Sequence, residues 1–158
     1  SLAGFINAGV NTTVSLTADT SLTVAAHAGK ILLCNDADGK FTLPSIVTTA
    51  PTDPTSPDQV NNVGASFFFY IETAATDLDI LTDGTDKFKG AAMVAVDDGS
   101  KKAFFPAAAN DVMTLNGSTK GGIVGSIVQV TAIDAASYLV HNTLLLGSGT
   151  IVTPFADA

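Results

Sequence analysis

Residues 64–90 read GASFFFYIETAATDLDILTDGTDKFKG, and this stretch carries the strongest secondary-structure signals in the 158-residue chain. Its apolar run at 66–72 (SFFFYIE) is too short for a typical globular helix and too aromatic for a loop, so we predict a core strand. Residues 78–81 (LDIL) predict a shorter strand with Leu78 and Ile80 on one face. The aspartates and glycines around these runs are typical of turns. The stretch therefore predicts β-strands joined by tight turns.

Strand signals recur through the rest of the chain, separated by turn signals roughly every 8 to 12 residues. We predict about eleven or twelve short strands. Two hairpins are predicted, one joining 92–96 to 102–105 across DDGS and one joining 126–133 to 138–142 across DAAS. The best helical segment, residues 106–115, supports one helical turn before a strand. Further strands are predicted at residues 12–17, 21–26, 30–34, 40–43, 112–115 and 150–152. The fold expected is all-β: an antiparallel β-sandwich or barrel, jelly-roll-like or related, with little or no helix.

The length fits a single β domain over residues 1–158. Within it we expect an N-terminal arm at 1–10 and a short C-terminal tail at 153–158. Residues 48–62 (TTAPTDPTSPDQVNN) break the strand pattern with prolines at every third position, the period of polyproline II. These prolines are Pro51, Pro54 and Pro57. We predict an extended surface loop. The alternatives are a loop that reaches a neighbouring subunit and a ligand for a proline-binding groove, although no basic residue flanks the prolines.

The charge of the chain argues against two classes of partner. Seven lysines, no arginine and fifteen acidic residues give a net charge of −8. Binding to nucleic acid depends on neutralising phosphates, and arginine is the usual bidentate reader of phosphates and guanines, so we expect no nucleic-acid partner. An anionic membrane surface is disfavoured for the same reason. No apolar run is long enough to span a bilayer, and the start SLAGFINAGV lacks the features of a signal peptide. We therefore expect synthesis in the cytoplasm.

Residues that could carry chemistry are few. Cys34 lies in an apolar run and has only His27 and His141 as candidate bases, so we predict a buried cysteine rather than a nucleophile. Asp83 and Asp86 are weak candidates for a cation site, because the turn TDGTD could offer carboxylates and backbone carbonyls. Turn chemistry is the favoured explanation of these aspartates. We predict no enzyme activity, no catalytic residue, no cofactor and no resident metal.

Three segments share a pattern with a known group of proteins. They are FTLPSIV at residues 41–47, the stretch 64–90, and GSIVQVTAIDAASYLVHNTLLLGSGTIVTPFADA at 125–158. The pattern joins a TLP strand, a G-x-x-[FY]-x-[FY] strand, a turn containing D-K-x-x-G, an aromatic hairpin and a T-P-F tail. In it the chain resembles small virion structural proteins of tailed bacteriophages, most of all the capsid decoration (cement) proteins of marine and other environmental phages. Tyr138 stands where the hairpin often holds tryptophan, and similar TLP segments occur in phage fibre proteins.

The resemblance implies a β-rich protein that binds the outer surface of the assembled phage head and bridges neighbouring capsomers. Its expected partners are the major capsid protein and further copies of itself, as a homotrimer. The alternative is a tail fibre or receptor-binding module that contacts host glycans. The expected contact regions are the N-terminal arm, the proline-rich loop and the tail. The interface residues we expect there are Phe5, Pro51, Pro54, Pro57 and Phe155.

Overall fold

The computed structural model describes residues 12–49 and 61–158. Their strands form two sheets that pack together, which confirms the predicted all-β sandwich, and no closed barrel is found in the described part of the chain. The expected arm at residues 1–10 and most of the proline-rich loop lie outside the described residues. Phe5, Pro51, Pro54 and Pro57 are among the residues not described.

The two sheets differ in size. The large sheet contains β1 (Thr13–Leu16), β3 (Ile31–Cys34), β5 (Ser66–Ile71), β7 (Lys87–Gly90), β8 (Ala92–Val96), β9 (Lys101–Phe104), β11 (Ile127–Asp134) and β12 (Ser137–Gly147). The small sheet contains β2 (Thr20–Ser21), β4 (Lys40–Thr42), β6 (Leu78–Leu81), β10 (Val112–Leu115) and β13 (Phe155–Ala156). The order in the large sheet is β1-β3-β5-β11-β12-β8-β9, with β7 beside β12, and the order in the small sheet is β13-β10-β6-β4-β2.

Residues 13–81 wind back and forth between the sheets. Strands β1, β3 and β5 are parallel neighbours in the large sheet, and β2, β4 and β6 are parallel neighbours in the small sheet. Each successive pair of strands therefore forms one coil of what we call the parallel winding. Its connections from the large to the small sheet, at residues 17–19, 35–39 and 72–77, lie one above another and are called the corners.

Residues 87–158 are organised differently, and we call them the hairpin half. Strands β8 and β9 form one antiparallel hairpin and β11 and β12 another, which confirms both predicted hairpins. The hairpin half continues the two sheets of the winding, because β11 pairs with β5 and β10 pairs with β6, both antiparallel. Strand β12 runs parallel to β7 along its first part and to β8 along its last part.

The predicted antiparallel arrangement is therefore wrong for the winding. Of the eleven strand pairings in the described residues, six are parallel and five are antiparallel. The turn at 35–39 (NDADG) carries the residues of a hairpin turn, yet it is a corner that passes the chain to the other sheet. Alternation and turn residues mark where strands begin and end, but they do not encode which neighbour a strand will have.

Hydrogen bonds between the corners hold successive coils together. The amide of Asn35 donates to the Leu16 carbonyl at 2.8 Å, and the amide of Glu72 donates to the Cys34 carbonyl at 3.1 Å. The Asn35 side-chain amide also donates to the hydroxyl of Ser15 at 2.9 Å and to the Glu72 carboxylate. One asparagine thus joins all three coils at this point.

The core lies between the two sheets and is rich in phenylalanine. In β5 the side chains of Phe67, Phe69 and Ile71 are fully buried, while the residues between them face outward. Phe69 stacks on Phe41 of the small sheet with ring centroids 6.3 Å apart. Burial of each such ring stabilises the fold by about 1.5–3 kcal/mol. The prediction of a core strand here is confirmed.

Two local predictions need correction. Residues 24–26, expected as the end of a strand, belong to the short helix α1 (Val24–His27), which the hydroxyl of Thr23 caps by accepting the amide of Ala26 at 3.3 Å. The last strand is β13 rather than residues 150–152, and residues 106–111 form no helical turn. No helix of the described residues is long and apolar enough to cross a membrane.

Candidate interface at the base of the proline-rich loop

The proline-rich loop leaves the body of the protein directly after the TLP strand. Strand β4 ends at Thr42, and the amide of Leu43 still donates to the Leu81 carbonyl of β6 at 2.7 Å. Leu43 is buried, so the chain is fixed up to this point. We call residues 44–47 and 61–63, where the loop leaves and returns, the loop base.

A buried tyrosine holds the first residue of the loop base. The hydroxyl of Tyr138 in β12 donates a hydrogen bond to the Pro44 carbonyl at 2.6 Å. The ring of Tyr138 is fully buried. Burial, together with the nearby carboxylates of Asp86 and Asp83, raises the pKa of this tyrosine well above its usual value, so the hydroxyl stays protonated and remains a donor.

A buried aspartate holds the next backbone amide. The Asp86 carboxylate accepts the amide of Ile46 at 2.9 Å, and only 3% of the residue is exposed. The backbone carbonyl of Asp86 accepts the Thr82 hydroxyl at 2.6 Å, which fixes the turn between β6 and β7. Burial raises the pKa of Asp86, and the charges of Asp83 and Asp134 act in the same direction, while the Ile46 amide opposes them.

The neighbouring Asp83 shapes the same turn and reaches the loop base as well. Its carboxylate accepts the amides of Thr85 at 2.8 Å and Asp86 at 3.0 Å, and the hydroxyl of Ser45 at 2.7 Å. Partial burial alone would raise the pKa of Asp83, but these donors outweigh burial and lower it.

The two weak cation candidates therefore serve as acceptors for the protein's own donors. Asp83 and Asp86 bind the loop base and their own turn, as the favoured turn interpretation predicts. No group of three or more histidine, cysteine, aspartate or glutamate side chains within residues 12–49 and 61–158 is arranged to hold a metal ion.

Asn62 closes the loop base from the returning side. Its side-chain amide donates to the Ser45 carbonyl at 2.8 Å, and its side-chain oxygen accepts the amide of Val47 at 2.8 Å. Its backbone amide donates to the Val47 carbonyl at 3.0 Å. Three hydrogen bonds, two donated and one accepted by Asn62, thus join the segment where the loop leaves to the segment where it returns. The segment between them begins and ends at one fixed place on the scaffold, which is how proteins commonly present binding loops.

Phe155, expected to anchor in a neighbouring subunit, lies instead in the core of its own chain. It is 6% exposed, and its ring centroid is 6.4 Å from that of Phe88. Strand β13 holds it by pairing with β10, and the amide of Ala158 donates to the Asp111 carboxylate at 3.0 Å. The expectation of an aromatic anchor on a free tail is therefore wrong, because β10 offers the tail an open edge within the same molecule.

Cys34 is fully buried, as predicted. Burial raises the pKa of its thiol to about 12, so the thiolate is not accessible at neutral pH. His141 lies on the outer face of the large sheet, where its ring forms a 2.8 Å hydrogen bond with the Thr131 hydroxyl. The two residues belong to opposite faces of that sheet.

A second surface feature was missed by the sequence reasoning. One row of side chains crosses the outer face of the large sheet without a charge, and the strand register joins its members in succession: Leu33, Tyr70, Ile127, Leu144, Met93 and Ala103. Leu144 and Met93 are 39% and 40% exposed. We call this row the apolar row. The alternation within a strand predicts which of its residues face outward, but only the register between strands shows that these residues lie side by side.

Comparisons with family models, with curated proteins and with solved structures gave no significant match to this chain.

Proposed function

We propose that this protein is a capsid decoration protein, which binds the outer surface of an assembled phage head and stabilises it by bridging capsomers. The observation that carries the proposal is the loop base. It brings together the three segments in which the chain resembles such proteins. Pro44 of the TLP segment meets Tyr138 of the aromatic hairpin, and Ser45 and Ile46 meet the two aspartates of the turn in 64–90.

This convergence gives the shared pattern a physical role. The TLP residues, the aspartate turn and the hairpin aromatic are distant in sequence, yet each contributes a hydrogen bond that fixes where the proline-rich loop begins. Hydrogen bonds from three distant segments at one place favour a protein whose function depends on presenting that loop. The apolar row adds an uncharged surface suited to contact with other protein, since the cores of protein interfaces are depleted of charge.

The proposed mechanism is stabilisation by binding. A protein that binds only the assembled shell lowers the free energy of that state by an amount set by its affinity and concentration. Attachment of a homotrimer at several points would add avidity. The acidic, arginine-free chain suits the outer side of the shell, away from the packaged nucleic acid. The partner expected in this proposal is the major capsid protein.

The test is a binding assay with purified expanded capsids. Wild-type protein should bind stoichiometrically and raise the temperature at which the shells disassemble. A variant in which a Gly-Ser-Gly link replaces residues 50–59 should keep its own melting temperature, because Asn62 and Val47 already join the ends of the loop. The same variant should bind shells much more weakly.

The matched control replaces the exposed hairpin turn at residues 97–100 with another turn sequence, and it should bind shells as the wild type does. Failure of the wild-type protein to bind any capsid form would contradict the proposed function. Full binding by the loop-shortened variant would contradict the role of the loop alone.

A fibre or receptor-binding module is the second candidate, and the parallel winding favours it. Stacked coils can extend along one axis, as in the solenoid architectures that build elongated proteins. Fractionation of disrupted virions distinguishes the two candidates, because a decoration protein remains with heads and a fibre module remains with tails. Binding to a glycan array would support the fibre module.

A further inference from the structure

The two edges of the large sheet are protected to different extents. The edge formed by β7 and β9 carries four of the seven lysines: Lys87, Lys89, Lys101 and Lys102. Lysines on an edge strand discourage pairing with strands of other molecules. The opposite edge is β1, whose sequence TVSL contains no charge and no proline. No strand of the described residues pairs with the outer side of β1.

The backbone of β1 points hydrogen-bonding groups outward. The carbonyls of Thr12 and Leu16 each accept an amide from the β3 side at 2.8 Å, so the backbone hydrogen-bonding groups of these two residues point toward β3. In a parallel pairing, every second residue of a strand directs its amide and carbonyl groups toward the neighbouring strand, and the residues in between direct theirs away from it. Thr13 and Ser15 therefore present donors and acceptors along the open edge, and both side chains are exposed.

We propose that β1 pairs antiparallel with β1 of a second copy of this chain, so that two large sheets become one continuous sheet across a twofold axis. This contact is separate from the proposed function, because it does not depend on binding to a capsid. It is also compatible with a homotrimer, since it would then join copies that belong to different trimers.

Charge decides the direction of the pairing. The corners carry a set of acidic residues at the end of the winding where β1, β3 and β5 finish: Asp19, Asp36, Asp38, Glu72 and Asp77. Parallel pairing would place two such acidic ends side by side. Antiparallel pairing places them at opposite ends and brings each toward the Lys30 end of its partner, where β3 begins. Antiparallel pairing therefore avoids the repulsion between the two acidic ends and brings each of them nearer to Lys30 than parallel pairing would.

The alternation of β1 also indicates the register. With Ser15 on the twofold axis, Thr13 of each copy lies opposite Thr17 of the other, so every outward-facing position of the strand is used. The two Ser15 residues then form a hydrogen-bonded pair with Cα atoms about 5.5 Å apart. A contact of this size is small, so association should be reversible and concentration-dependent.

The first experiment compares the wild type with a Thr13→Lys/Ser15→Lys double variant by sedimentation over a range of concentrations. In the proposed register the two lysines introduced at position 15 lie directly opposite each other and repel, so the mass of the largest species should be halved, from dimer to monomer or from hexamer to trimer. Two controls should assemble as the wild type does. Ser15→Ala removes only the hydroxyl that accepts from Asn35, and Ser100→Lys adds a charge at an exposed position beside the edge that is already protected.

The second experiment tests register and direction by disulfide cross-linking. Ser15→Cys should cross-link two copies on mild oxidation, because the expected Cα separation suits a disulfide. Asp19→Cys should not, because antiparallel pairing separates the two corners. The native Cys34 contributes no accessible thiol because it is fully buried.

Four outcomes overturn the proposal. One is a wild-type protein that stays monomeric or trimeric at all concentrations up to about 1 mM, so that there is no larger species for the double variant to halve. Another is an assembly that survives the double lysine variant. The third is efficient cross-linking through Asp19→Cys instead of Ser15→Cys. A deletion of residues 1–10 that converts a monomer into a dimer would also overturn it, because those residues would then be what covers β1 in the full chain.

Discussion

The parallel winding and the hairpin half build the same two sheets by different means. In the hairpin half, two pairs of neighbouring strands, β8–β9 and β11–β12, are joined by short turns, so the information for these two pairings is local. In the winding, each strand pairs with a strand one full coil away, and the connection between them visits the other sheet first. The comparison teaches that the same turn residues can join two strands of one sheet or pass the chain to the other sheet. Where the chain goes after the turn, and not the residues of the turn, decides between the two arrangements.

The largest effect should come from the core that both halves share. Phe69→Ala in the winding and Phe88→Ala in the hairpin half each remove a buried ring, and each should reduce the free energy of unfolding by about 3–5 kcal/mol. Chemical denaturation followed by fluorescence and by circular dichroism should give one transition for both variants. Phe105→Ala, at a position 81% exposed, is the control and should change little. Two separate transitions would show that the halves unfold independently.

The next effect concerns the contact through which the hairpin half holds the winding at the loop base. Tyr138→Phe leaves the Pro44 carbonyl without its donor, which should cost about 1–3 kcal/mol of stability. Proteolysis within the proline-rich loop should also become faster. Tyr70→Phe, on the outer face of the large sheet, is the matched control. Equal losses from the two changes would mean that the Pro44 contact contributes nothing specific.

A smaller difference is expected between a corner and a hairpin turn. Asn35→Ala removes side-chain bonds that join three coils and should cost about 1–2 kcal/mol. Asp98→Ala removes one bond, to the Ser100 amide at 2.7 Å, in the exposed turn between β8 and β9. It should cost about 0.5 kcal/mol. Thermal unfolding of both variants measures the difference, and a larger loss from Asp98→Ala would reverse the ranking of corner and turn.

The smallest effect is a pH dependence of opposite sign at the two aspartates of the loop base. The pKa of Asp83 is lowered on folding. Its contribution to the free energy of unfolding is therefore present above the ordinary aspartate pKa and is lost as pH falls through the pKa of the folded state. The pKa of Asp86 is raised on folding. Its contribution to the free energy of unfolding is therefore present below the ordinary aspartate pKa and is lost as pH rises through the pKa of the folded state.

Stability curves of Asp83→Asn and Asp86→Asn against pH test these signs. Relative to the wild type, Asp83→Asn should be less stable at neutral pH, with the difference shrinking in acid. Asp86→Asn should gain on the wild type as pH rises above the ordinary aspartate range. Curves that shift in the same direction for both variants would contradict the assignment.

Much of the hairpin half could be predicted from the sequence, because DDGS and DAAS lie between strands that pair across them. The direction of pairing in the winding could not, because Asn35 and Glu72 act through partners 19 to 38 residues away. The proline-rich loop was recognised by composition, but its base was not, since Tyr138 reaches Pro44 across 94 residues. Phe155 was misjudged for the same reason: an aromatic near the end of the sequence gives no sign of the strand β10 that receives it.

The place of β13 has a consequence for the order of folding during synthesis. The ribosome delivers residues 155–158 after the other twelve strands of the described residues, yet these residues cover Phe88 and pair with β10, which in turn pairs with β6 of the winding. Folding to the final state must therefore wait until this segment has left the exit tunnel. A chain halted before residue 155 would leave the Phe88 ring without this cover and accessible to chaperones and proteases. With so many of its contacts distant in sequence, the domain should fold slowly for its size.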